Sequence, residues 1–163
     1  MKMRAVVLSD SHGDIHSCEK AIESMGKVDL IIHLGDIARD VRHISQKYPE
    51  IPLASVVGNN DLCFSKDELE RVIDFDGHKL FICHGHTLGV RYGTERLEGV
   101  ALQNGCDAAL FGHTHCAVDK KASSGILILN PGSVSRPRSG GASFGVLETD
   151  GVELSSMICD WIL

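Results

Sequence analysis

The chain has 163 residues, which suits one domain spanning 1–163 with a core that needs no covalent staple. Aromatic residues make up only 5%, the net charge is −6 and no Lys/Arg-rich run occurs. Those features exclude a base-stacking platform and a general nucleic-acid binder, and no apolar run approaches the ~18 residues of a membrane span.

The first apolar run, 4–8 (RAVVL), predicts a strand. It is too short for the apolar part of a signal peptide, and Asp10 arrives where that part should continue. The strand runs into Ser9-Asp10-Ser11-His12. Residues 14–25 then place Ile15, Cys18, Ala21, Ile22 and Met25 at helical spacing, with Asp14 as N-cap. A second run, 28–34, ends in Gly35-Asp36, and a second helix is expected over 40–48. The run 51–57 ends in Gly58-Asn59-Asn60-Asp61. The run 79–83 ends in His84-Gly85-His86, and a third helix is expected over 94–104, stopped by Gly105. The run 108–111 ends in Gly112-His113-Thr114-His115. The tail, at 117–121, 126–130, 142–148 and 152–158, reads as consecutive strands with Gly-rich turns. This order predicts two packed sheets flanked by helices, the second largely antiparallel. Segment 133–141 is the most loop-like and carries Arg136 and Arg138.

Open α/β sheets bind ligands beyond the carboxyl ends of their strands. Five strand ends here carry Asp, Asn or His: Asp10 and His12, Asp36, Asn59, His84, then His113 and His115. Imidazole and carboxylate donors in that number suit two divalent cations, which clamp an in-line displacement at phosphorus. If D-x-H and H-x-H are extended, alternation turns each pair of donors the same way and Ser11 the other. The same alternation points Cys83 and Cys116 away, as packing residues. The six cysteines form no C-x-x-C pair and read as reduced thiols in a cytoplasmic protein.

Together, Asp10-Ser11-His12, Gly35-Asp36, Gly58-Asn59-Asn60-Asp61, His84-Gly85-His86 and Gly112-His113-Thr114-His115 resemble, in that order, the calcineurin-like metallophosphoesterases. The short length and Asn130-Pro131-Gly132-Ser133 resemble the YfcE-type phosphodiesterase branch. The resemblance implies an α/β fold, a β-sandwich of two mixed sheets flanked by helices (αββα). It puts Asp10, His12, Asp36 and His115 on a first metal. Asp36 would bridge to a second, completed by Asn59, His84 and His113. The cofactors implied are two divalent ions, Mn2+ first, with Ni2+, Fe2+, Co2+ or Zn2+ as alternatives.

The activity implied is hydrolysis of a small phosphodiester by a hydroxide that the two metals activate, with no membrane partner and with homo-oligomerisation left open. Many relatives carry a His where this chain has Asn60. An amide can hydrogen-bond a phosphate oxygen but supplies no proton, which favours esters with good leaving groups. Asp61, without that partner, is expected to support its loop. Asn60 and His86 are the candidate catalytic contacts, and Arg39, Arg136 and Arg138 are candidate phosphate contacts. The competing reading is a metal-bearing scaffold of the same fold, as in one retromer subunit.

Overall fold

The strand Met3–Leu8 (β1) is apolar throughout because both of its faces are covered. Ala5 and Val7 pack toward one layer, and Val6 and Leu8 toward another. The same logic shapes the other central strands of this computed structural model, which describes residues 1–63 and 65–160. After β1 come helix α1 (Ile15–Ser24), β2 (Leu30–His33), α2 (Ala38–Lys47), β3 (Leu53–Ser55) and the single turn α3 (Lys66–Leu69). Then follow β4 (Glu70–Phe75), β5 (His78–Cys83), α4 (Glu95–Gln103) and β6 (Ala108–Leu110). The chain closes with β7 (Val118–Lys121), β8 (Leu127–Asn130), β9 (Ser143–Thr149) and β10 (Leu154–Asp160).

The strands form two five-stranded mixed sheets, ordered β10-β9-β1-β2-β3 and β4-β5-β6-β8-β7. Between them lies a core of Val7, Ile32, Leu34 and Leu147 from the first sheet against Leu80, Ile82, Leu110 and Leu129 from the second. Helices α1 and α2 cover the outer face of the first sheet through Cys18, Ala21, Ile22 and Ile44. Helix α4 covers the second through Leu97 and Ala101. Each fully buried Leu or Ile contributes about 1.5–3 kcal/mol relative to exposure, so three apolar layers hold the strand ends in place. Asp14 caps α1 as expected, accepting from the backbone N of Ser17 at 3.0 Å.

Two expectations need correction. The second sheet is not largely antiparallel, because β5, β6 and β8 run parallel and only its edge strands β4 and β7 reverse. The tail strands divide instead, with β9 and β10 joining the first sheet beside β1. Strand β4 and helix α3 carry no clear sequence signal, since half-buried Glu70 and exposed Arg71 and Asp74 obscure the apolar alternation of an edge strand. No helix among the described residues is long and apolar enough to cross a membrane.

Candidate metal centre

All seven predicted donors gather at one rim. Asp10, His12, Asp36 and Asn59 follow strands of the first sheet, and His84, His113 and His115 follow β5 and β6 of the second. The rim therefore straddles the seam between the sheets. The donors do not converge by extended alternation. Asp10, His12, Asp36, His113 and His115 have φ of 55°, 47°, 48°, 68° and 58°, and only Asp76 joins them as a non-glycine with positive φ among the described residues. Asp and His tolerate this left-handed region better than most side chains, and strained backbone concentrates at functional sites. Each such residue turns its strand end sharply and aims the side chain across the rim. Ser11 does face away, as the sequence suggested, but this local turn is the reason.

The chemistry of the set fits a cation. Asp10 is fully buried, and its Oδ2 accepts from Ser9 Oγ at 2.7 Å and from the backbone N of His113 at 3.0 Å. Its Oδ1 has no hydrogen-bond partner. That oxygen lies 3.3 Å from Nε2 of His115 and 3.8 Å from Nε2 of His84. Both imidazoles spend their Nδ1 proton elsewhere, on the Arg136 and Leu34 carbonyls, each at 2.7 Å. In the neutral ring Nε2 is then a bare lone pair. His12 Nε2 stands 3.3 Å from His115 Nε2. Acceptors thus face acceptors around a buried carboxylate oxygen, the arrangement a cation resolves. Two groups of three meet the distance requirement for holding an ion: Asp10, His12 and His115, and Asp10, Asp36 and His84. Asp36 Oδ2 lies 3.8 Å from His12 Nε2 and 3.6 Å from His84 Nε2, so one oxygen reaches both groups. Asn59 Oδ1 is 3.0 Å from His84 Nε2 and 3.0 Å from His113 Nδ1.

The surroundings tune these groups. Burial pushes the Asp36 carboxyl up, but His84 and two hydrogen bonds from Asn60 outweigh it and hold it below its ordinary value. Burial first, then neighbouring His84 and Arg91, lower His113 to about 4. Burial also lowers His12 and His86. Asn60 donates its side-chain amide to Asp36 Oδ2 at 2.7 Å and its backbone N to Oδ1 at 3.1 Å. Asp61 supports its loop, as expected, accepting from the backbone N of Gly58, Asp36 and Ala38 at 2.8, 3.1 and 2.7 Å. Three glycines allow the close approach. A Cβ on Gly58 would run into the Asp36 carboxylate, one on Gly112 into Ser9 and Asp10, and one on Gly35 into Gly58 and His84.

Behind the donors lies a network that sequence reading missed. Ser11 Oγ donates to Asp40 Oδ2 at 2.6 Å and meets His33 Nε2 at 3.0 Å. His33 is fully buried, and its Nδ1 accepts from the backbone N of Gly35 at 3.2 Å. His33 closes an apolar strand, and nothing in LIIH distinguishes a bracing imidazole from a packed one. The Asn130-Pro131-Gly132-Ser133 segment serves the same end. Asn130 Nδ2 donates to the Gly112 carbonyl and to Thr114 Oγ1, and Ser133 Oγ donates to the Asp10 carbonyl at 2.8 Å.

A cleft of about 240 Å³ opens over the donors, lined by His12, Asp36, Asn59, Asn60, Arg91, His113, His115, Arg136 and Arg138. Arg136 and Arg138, two of the candidate phosphate contacts, are thus at the cleft. Arg39 is not among the lining residues and lies beside Gly13. Arg91, which carried no motif signal, donates from Nε to His113 Nε2 at 3.0 Å. His86 does not line the cleft either; its ring centre is 5.5 Å from that of His84 and 6.1 Å from that of His113. Cys83 is buried in the outer layer of the second sheet, where burial raises its thiol far above the ordinary range. Cys116 turns its Sγ to the Thr114 carbonyl at 3.3 Å.

Known proteins share this arrangement of chain. The model of the calcineurin-like phosphoesterase superfamily domain matches residues 3–151. A probable metallophosphoesterase of Bacillus subtilis, YsnB, is 34% identical over 142 residues, covering 83% of this chain and 78% of its own. The phosphodiesterase MJ0936 of Methanocaldococcus jannaschii is 28% identical over 179 residues, covering 97% and 100%. Among solved structures, a Streptococcus pneumoniae TIGR4 protein described as a predicted phosphoesterase superposes with a TM-score of 0.80 at 28% identity, covering 98% of this chain and 90% of its own.

Proposed function

The chain belongs to the calcineurin-like phosphoesterase superfamily, and from that premise we propose that it is a cytoplasmic, two-metal phosphodiesterase. Asp10, His12, Asp36 and His115 hold one cation, and Asp36, Asn59, His84 and His113 hold the other, with Mn2+ as the first candidate. The observation that carries this reading is Asp10 Oδ1, a buried oxygen without a hydrogen-bond partner, set against bare imidazole nitrogens. Asp36 suits the bridge because its Oδ2 reaches both His12 and His84. The diester class draws on the likeness to MJ0936.

Bound cations would supply Lewis acidity, lowering the pKa of a water and neutralising charge on the phosphoryl oxygens. The chain's own residues set the rest. Ser9 and the His113 backbone hold one oxygen of Asp10, so its other oxygen cannot rotate away from the donors. Asn60 gives its amide to Asp36, orienting the bridging carboxylate. It has no proton to offer a departing alkoxide, so esters with good leaving groups turn over fastest. Six free thiols suit a reducing compartment.

Protein purified without added metal is expected to cleave bis(p-nitrophenyl) phosphate when Mn2+ is supplied and to stop when chelator is added. Calorimetric titration with Mn2+ should give two sites per chain, and Asp36→Asn should weaken both while lowering kcat at least 100-fold. Two filled sites with no turnover of any phosphodiester would instead establish a metal-bearing scaffold. No ion bound at all would end the two-metal reading.

A further inference from the structure

The cleft holds more positive charge than one phosphodiester can use. Only two carboxylates, Asp10 and Asp36, lie among the donors, while three guanidiniums line the opening. Bound cations add to that excess, and it stands out in a chain whose net charge is −6. Among the described residues, no carboxylate pairs with Arg91, Arg136 or Arg138, and Arg136 and Arg138 make no side-chain hydrogen bond. Guanidiniums free of carboxylates beside an anion-handling site are available for bidentate phosphate binding.

The three are not loosely placed. Arg136 is held at both ends of its backbone: its N donates to Ser133 Oγ at 2.7 Å, and its carbonyl accepts from His115 Nδ1 at 2.7 Å. The backbone N of Arg138 donates to the His115 carbonyl at 3.0 Å, and Pro137 between them fixes the turn. In the loop that carries Arg91, Val90 is buried against Gly85, where a Cβ would meet its Cγ2 at 2.7 Å. That packing sets Arg91 beside His113. The arginines therefore flank the donors from two loops, at spacings set by the same backbone that aims the histidines. Among the described residues, the cleft is lined by imidazoles, amides, one carboxylate and guanidiniums, with no Phe, Tyr or Trp.

We propose that Arg91, Arg136 and Arg138 form a clamp for a second phosphate, and that the substrate is a small phosphodiester bearing a further phosphoryl group. This rests on the phosphodiesterase reading above. The scissile phosphate lies over the cation donors, and the second phosphate lies toward the mouth, against the guanidiniums. Each of these three side chains is exposed, so their replacement should leave folding intact.

The test compares p-nitrophenyl thymidine 5′-phosphate with and without a 3′-phosphate, using Mn2+-loaded protein. The added phosphate should lower KM at least tenfold, and the ratio should shrink toward one in Arg136→Gln/Arg138→Gln and in Arg91→Gln. Arg→Lys variants should recover part of it, because a point charge replaces the fork. A second readout separates this idea from the one it rests on. By calorimetry, deoxyadenosine 3′,5′-bisphosphate should bind at least tenfold tighter than deoxyadenosine 5′-monophosphate, and the Gln variants should lose that margin. If the margin holds while no diester is turned over, the clamp stands and hydrolysis falls. Equal KM values and equal binding of the two nucleotides would overturn the clamp even in an active phosphodiesterase.

Discussion

Gly58 and the Asp36 carboxylate leave no room between them for a methyl group. Gly58→Ala should therefore push Asp36 off its position and reduce Mn2+ affinity and kcat at least 30-fold, as titration and steady-state assay would show. Gly26→Ala is the control. Nothing lies within 4 Å of a Cβ there, so its left-handed φ of 65° should cost roughly 1 kcal/mol of stability without touching activity. A second residue sets a pH response. Burial lowers His33 from 6.5 to about 4. The unfolded chain takes up that proton first, so the stabilisation is complete above pH 6.5 and is lost as pH falls toward 4, at up to about 1.4 kcal/mol per unit. Chelator-treated protein should melt at steadily lower temperature across that window, and His33→Gln should flatten the slope. Identical slopes would show that His33 is not the group responsible. The motifs made the donor residues legible because each sits beside its strand end in sequence. Their left-handed backbone, the role of His33 and the placement of Arg91 depend on neighbours distant in sequence, and single-sequence patterns do not encode those.

Among the elements, the ends of β2 and β3 are tied by one side chain. Asp61 collects backbone N–H groups from Gly58, Asp36 and Ala38, joining the loop that carries Asn59 to the loop that carries Asp36. Asp61→Ala leaves these donors to solvent or unpaired, and each one that stays buried costs about 1–3 kcal/mol. The expected result is a lower melting temperature together with weaker Mn2+ binding, with Asp61→Asn recovering part of both. An unchanged metal affinity would mean that the two loops hold their places independently. Helices α1, α2 and α4 were legible because their apolar spacing is local and Asp14 and Gly105 mark ends. The parallel placement of β8 was not. It pairs with β6 across an intervening edge strand, and which strand neighbours which is decided by the packing of whole faces, not by any one run.

At the scale of the molecule, the two-sheet division of the donors and the closure of the first sheet belong together. The overall acidity says little about the cleft, because three arginines reverse the sign locally. Strand β1 lies in the middle of its sheet, between β2, reached within the first 33 residues, and β9, at Ser143–Thr149. Ser133 and Ser135 grip the Asp10 and Ser11 carbonyls from 123 and 124 residues away. On a translating ribosome the Asp10 motif therefore waits for residues 133–149 before it is locked. Until then one flank of β1 offers unpaired peptide groups to any passing strand, which makes the half-made protein the stage most exposed to aggregation and to chaperone capture.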